Sequence, residues 1–118
     1  MDIKEAIHDF REAAIKKGDF LIPAKADHKC HAIMVKAFHY LKGQGKFGDE
    51  AFYALLRDES PYVAIWVAAQ LLSEGKDEAK EILIKLNNES LSKVMSFNIE
   101  IILEEYNLGR YTSPFGLN

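Results

Sequence analysis

The stretch AFYALLRDESPYVAIWVAAQLL, Ala51 to Leu72, decides how the rest of the chain is read. Its first half reads as a helix that ends in a charged turn, Arg57-Asp58-Glu59, and Ser60-Pro61 then opens a second helix that is apolar on nearly every face. Proline suits the first turn of a helix, where its missing N–H costs no hydrogen bond, and it drives the residue before it out of the helical region. A stop of this kind ahead of an Ala-rich helix predicts an α-α hairpin. A helix apolar all round belongs at the centre of a fold. Ala64, Ile65, Ala68, Leu71 and Leu72 are therefore expected on one face, with Tyr62, Trp66, Ala69 and Ser73 on the other.

Upstream, Asp49 can cap a short third helix that runs to Arg57 and turns Phe52, Leu55 and Leu56 inward. Gly43, Gly45 and Gly48 precede it and spell Gly-x-Gly-x-x-Gly. The dinucleotide fingerprint needs a strand before the glycines; here a helix comes first, so the reading is a flexible interhelical loop. That second helix spans about Ala24 to Lys42, with Cys30, Ile33, Met34, Ala37, Phe38 and Leu41 on its inner face. His28, Val35 and His39 lie outside among Lys25, Lys29, Lys36 and Lys42, and His31 falls near the boundary. The first helix runs from Asp2, a capping residue, to Lys17 and stops at Gly18-Asp19; Ile3, Ala6, Ile7, Phe10, Ala13 and Ala14 recur at spacings of three and four. Phe20-Leu21-Ile22-Pro23 is expected to fold beneath it as an apolar clasp.

Downstream, Gly75 ends the fourth helix, and Asp77 can cap a fifth through Leu86 with Ala79, Ile82, Leu83 and Leu86 inward. Asn87-Asn88 make the turn into a sixth helix, roughly Ser90 to Leu108, which gathers Met95, Ile99, Ile102, Leu103 and Tyr106 and ends at Gly109. The tail YTSPFGLN sets Tyr111 and Phe115 around Pro114, too apolar a segment to be left in water, so it is expected to dock on the body.

At 118 residues, 48% of them apolar, the chain is expected to form one domain, residues 1–118, around one core. A formal net charge of -3 and a pI near 5.8 argue against a protein whose main task is to grip phosphates. Cys30 is the sole cysteine, which rules out an intramolecular disulfide, and MDIKEAIHDF lacks the basic start and apolar run of a signal peptide. Ser60 to Ser73, the longest nearly uncharged stretch, is far too short to cross a bilayer. A cytoplasmic protein is expected.

Six helices joined by tight turns imply an all-α fold of three antiparallel pairs, each leaving an apolar face for its neighbour. Leu55-Leu56, Asp58, Ser60-Pro61, Val63, Ala68-Ala69 and Leu72 resemble the HEAT-repeat pattern, where a helix ends in Asp-x-x-Pro-x-Val and an Ala-Ala pair lets helices cross closely. The resemblance implies a short right-handed α-α superhelix. HEAT repeats usually carry a basic residue just after the valine; Ala64 stands there, which suits a short, capped stack rather than a long array. The whole chain also resembles a group of small bacterial proteins to which no activity is attached, in Ala24 to His28, in Pro61 to Ala69 with Trp66, and in Leu103, Tyr106 and Gly109, with tyrosine where that pattern has tryptophan.

Candidate chemistry is sparse. His28, His31 and His39, with Asp27 and Cys30 between, are metal-ligating types, but only His28 and His31 could approach one ion, so no metal site is expected. Cys30 sits in the inner stripe and reads as a small core residue rather than a nucleophile. Glu100, Glu104 and Glu105 read as a solvated face or as an acidic patch for a basic partner. No catalytic residue and no cofactor are expected.

What remains is a non-catalytic binding protein. Short helical repeats present a groove built from the second helix of each pair, here the second, fourth and sixth, and act by covering a partner's surface. The expected partner is a protein, and an acidic chain of this size suits a bacterial immunity protein that neutralises a toxin. The candidate contact residues are His28, His39, Tyr62, Trp66, Gln70, Glu100 and Glu104. The competing reading is a HEAT-like nucleic-acid binder that uses Lys25, Lys29, Lys36, Lys42 and Lys46, set against the acidic remainder.

Overall fold

The computed structural model describes residues 1–18, 24–89 and 92–116, with the side chains of 24–27 excepted. These residues form six α-helices, α1 Ile3–Lys17, α2 Ala24–Gly43, α3 Gly45–Ala54, α4 Pro61–Ser73, α5 Asp77–Asn88 and α6 Lys93–Asn107, and a 3-10 turn at Leu55–Arg57. No strand occurs among them. The apolar segment 20–23, expected as a clasp, lies outside the described residues.

The helix ends follow local chemistry. The Asp2 carboxylate accepts from the Glu5 N–H at 2.8 Å, satisfying a donor that the first turn leaves over, and Gly18 closes α1 at φ 50°. Pro61 occupies the first turn of α4, and Asp58 accepts from the Ser60 N–H at 3.0 Å just before it. Ser92 caps α6 by accepting from Met95 N–H. At the far end Arg110 N–H reaches Glu105 C=O at 2.9 Å across Gly109, whose φ of 73° turns the chain back toward the body.

The glycine stretch differs from its reading as a loop. Gln44 alone separates α2 from α3, and α3 begins at Gly45 rather than Asp49. Gly48 is buried inside α3, where an added Cβ would collide with the backbone carbonyl of Leu41. The glycine thus serves a close helix crossing, which linear spacing does not reveal.

α4 is the hub. Val63, Ala64, Ile65, Val67, Ala68, Ala69, Gln70, Leu71 and Leu72 are all buried, as expected of a helix apolar all round. It packs most extensively on α5, then on the 3-10 turn and α1, and only lightly on α3 and α6; α1 in turn packs chiefly on α2. Cys30, Met34, Ala37, Phe38 and Leu41 bring α2 into the core, but Ile33 does not join them. It sits on the rim of the α1–α2 groove beside Ile15 and Lys36 and is substantially exposed.

The tail after α6 docks. Phe115 is 2% exposed, with its ring 5.6 Å from Phe10, 5.3 Å from Phe38 and 6.4 Å from Trp66 by centroid. One residue from the end of the described chain therefore fills the space where α1, α2 and α4 meet. Polar contacts fix its approach: Tyr111 Oη donates to Ala69 C=O at 3.0 Å, Ser113 Oγ donates to Gln70 Oε1, and His39 Nε2–H donates to Phe115 C=O at 2.9 Å.

A second long-range tie joins α1 to the central hairpin. Arg11 donates to both oxygens of Asp58, at 2.7 and 3.1 Å. Burial pushes the Asp58 carboxyl up, but the hydrogen bonds from Arg11 and Ser60 N–H and the Arg11 charge outweigh it and hold the group below its ordinary 3.8. The Asp58 bond in turn raises Arg11. The acid of the turn before α4 is thus paired across the fold, from α1.

Candidate functional site

The light contact between α4 and α6 opens a cavity of about 290 Å³ between them, closed on a third side by the tail. Tyr62, Ile65 and Trp66 wall it from α4, Ile101 and Ile102 from α6, and Tyr111 from the tail. The residues arrive there for different reasons. On α4 Tyr62, Ile65 and Trp66 recur at spacings of three and four and so share one side of the helix, while on α6 Ile102 flanks the buried pair Met95 and Ile99 and Ile101 is the more exposed neighbour. Burial pushes the Tyr111 phenol above its ordinary 10, so its hydroxyl stays protonated as the donor to Ala69 and the tail wall is held in place.

From the mouth of the cavity an apolar stripe continues along the outside of α6. Val94 is 42% exposed, Phe97 62%, Ile101 41% and Leu108 56%, and their offsets of three, four and seven stack them on one side of the helix. Glu100 and Glu104 stand one turn apart on the flank of this stripe opposite Asn98 and Ile102. Both are exposed and neither has an ion-pair partner among the described residues, whereas Glu105 is engaged by Arg110 at 3.1 Å.

The candidate contact residues fall in four places. Tyr62 and Trp66 meet in the cavity wall, and Glu100 and Glu104 border the adjoining stripe. Trp66 is largely engaged in packing, with His31 edge-on at 6.2 Å and Lys17 Nζ 5.0 Å above its ring. Gln70 corrects the expectation of a surface contact: it is 0% exposed, and its amide is spent inside, donating to Glu74 at 2.9 Å and accepting from Ser113. His28 and His39 are exposed on α2, away from the α6 stripe in sequence and in contacts, and His39 is occupied by the tail carbonyl.

Of the lysines weighed for nucleic acid, Lys42 pairs with Asp49 at 3.7 Å and with Glu74 at 3.5 Å, and Lys46 with Glu50 at 3.9 Å. Lys29 and Lys36 share the α1–α2 groove with Asp9 and Glu12, and the side chain of Lys25 lies outside the described residues. Cys30 is buried, and the His31 ring packs 5.9 Å from Phe115. Among the described residues no group of three or more His, Cys, Asp or Glu could hold a metal ion, and no helix is long and apolar enough to cross a membrane.

Phe97, Ile101 and Leu108 were not among the sequence candidates. The signal was available as a second apolar period on α6, offset from Met95, Ile99, Ile102 and Tyr106. Comparison of the chain with family models, curated proteins and solved structures gives no match.

Proposed function

We propose that this chain is a non-catalytic protein-binding domain of HEAT-like type, three antiparallel helix pairs in a short right-handed superhelix, which recognises a partner protein through the outer face of α6. The observation that carries the reading is the exposed stripe Val94, Phe97, Ile101 and Leu108 with unpaired Glu100 and Glu104 on its flank. An apolar centre with a charged border is the usual anatomy of a binding face: the apolar groups supply affinity when desolvated, and the charges orient the partner. The Asp58 and Pro61 signature and the Ala68-Ala69 pair support the HEAT-like arrangement.

In its narrower form the proposal is that the partner is a bacterial toxin, neutralised in the cytoplasm by having its surface covered. Such a partner presents apolar side chains framed by Lys or Arg. The test is co-expression with the product of a gene adjacent to this one, followed by calorimetric titration of the purified pair. A stable complex that Phe97→Glu and Ile101→Glu each abolish, while the helical circular dichroism is kept, is the expected result. A complex that survives both substitutions places recognition elsewhere and ends the α6 reading.

A further inference from the structure

We infer that the cavity between α4, α6 and the tail is a binding site for a small, flat, uncharged aromatic molecule of one or two rings bearing a single hydroxyl or N–H group. This goes beyond protein recognition by the α6 stripe and does not depend on it. Size comes first. The cavity holds about 290 Å³, roughly twice the ~150 Å³ of an apolar cavity that takes up benzene. A fused two-ring molecule fits that measure.

The walls set the chemistry. Tyr62, Trp66 and Tyr111 offer ring surface on two sides, and Ile65, Ile101 and Ile102 fill between them. Aromatic pairs in stacked or edge-on contact gain more than their buried area alone supplies, which favours a ring over an aliphatic ligand of equal volume. No residue that walls the cavity, among those described, carries a formal charge, and the cation beside it, Lys17 with Nζ 5.0 Å from the Trp66 ring centroid, is already engaged, so an ionised ligand would lose its hydration for little counter-charge. A polar handle is nevertheless present. Asn98 on α6 and the Tyr62 hydroxyl on α4 have no hydrogen-bond partner among the described residues, in contrast to Tyr111 and Ser113, which are committed to Ala69 and Gln70. One hydroxyl or N–H on the ligand can be met from these two groups, and such a few convergent polar groups in an apolar pocket fix orientation.

The experiment is an NMR titration of the full chain with 2-naphthol, with 2-naphthalenesulfonate as the charged analogue. Trp66 is the only tryptophan, so its indole N–H gives an unambiguous signal beside the isoleucine and alanine methyls. The expected result is saturable one-site binding of 2-naphthol, with shifts concentrated on Trp66, Ala69, Ile101 and Ile102. The sulfonate should be at least about tenfold weaker. Ala69→Leu and Ile102→Phe, which grow into the cavity, should each weaken 2-naphthol at least about tenfold, the scale of a one- or two-methylene misfit in an apolar pocket. If one variant does not fold, the other and the wild-type titration decide. Phe97→Ser, on the outer stripe, should leave 2-naphthol binding unchanged, which separates this site from the protein-binding face. Shifts that never saturate, shifts centred on Phe97 and Leu108, equal binding of the sulfonate, or binding indifferent to the folded filling variants would each overturn the proposal.

Discussion

The aromatic centre around Phe115 and the outer face of α6 are built from the same residue types and end in opposite states. Phe115 lies in a tail, residues 111–116, with little regular structure and is 2% exposed; Phe97 lies in a regular helix and is 62% exposed. Around Phe115 the rings of Phe10, Phe38 and Phe52 interlock at centroid distances of 4.9 to 5.6 Å, and each apolar face there meets another. On α6 one apolar stripe faces the core, and a second, a third of a turn or so around the helix, faces outward. The chain that follows α6 turns at Gly109 and runs to the core instead of over that second stripe. Regular structure and burial are thus independent here: an irregular segment with one well-placed ring is held, and a good helix keeps a surplus apolar face.

Removing the ring that closes the first region tests it hardest. Phe115→Ala is expected to cost about 3 kcal/mol, within the range for deleting a buried phenylalanine side chain from a packed site. Urea unfolding followed by Trp66 fluorescence checks this, since Trp66 borders the same ring at 6.4 Å. A loss of under about 0.5 kcal/mol, the size of a surface substitution, would show that the tail merely lies on the body.

Next in size is Gly48→Ala. Its new methyl meets the Leu41 carbonyl, a backbone group that cannot rotate away, so α2 and α3 must separate. Overpacking of this kind costs about 1–3 kcal/mol, and the upper half is expected here despite the better helix propensity of alanine. A stability equal to wild type in thermal unfolding would mean that the crossing has slack.

The Arg11–Asp58 pair comes third and carries a pH signature. Arg11→Leu strands a carboxylate that is only 10% exposed, and with Arg11 itself 27% exposed the expected loss is about 2 kcal/mol, less than a fully buried pair would show. The folded-state carboxyl of Asp58 lies below its ordinary 3.8, so its contribution is complete above that value and is lost as pH falls through it toward the lower folded value. Between neutral pH and pH 3, wild type should therefore lose more stability than Arg11→Leu does. Parallel curves would remove the pair from the account.

Much of the first region could be read in the sequence. The spacing of Phe10, Phe38 and Phe52, the Ser60-Pro61 start and the apolar tail depend on local chemistry, which one chain displays. What could not be read depends on distances through space. Gly48 looks like a loop residue until Leu41 is placed over it, and Arg11 is one surface cation among many until Asp58, 47 positions away, comes within 2.7 Å. Gln70 fails for the same reason, because its burial depends on where Ser113 lands. Ile33 and Phe97 were both apolar residues in periodic helices, and only packing settles that neither is covered. The cavity belongs to the same class: it exists because α6 leans on α5 more than on α4.

The smallest expected effect on stability is the most informative about function. Phe97→Ser removes the most exposed ring of the α6 stripe, a side chain with nothing to lose from truncation in the free protein, so unfolding should shift by no more than about 0.5 kcal/mol. It should also improve solubility, because the patch it interrupts is the kind that drives self-association. If α6 is a recognition face, the same substitution removes an aromatic anchor from its centre, and such anchors cost about 2 kcal/mol or more of binding when truncated. Stability and binding would then part company at one residue, whereas at Phe115 the expected effect is on stability. A Phe97→Ser protein that unfolds as early as Phe115→Ala would instead mean that the stripe is covered in solution, and the contrast between the two regions would close.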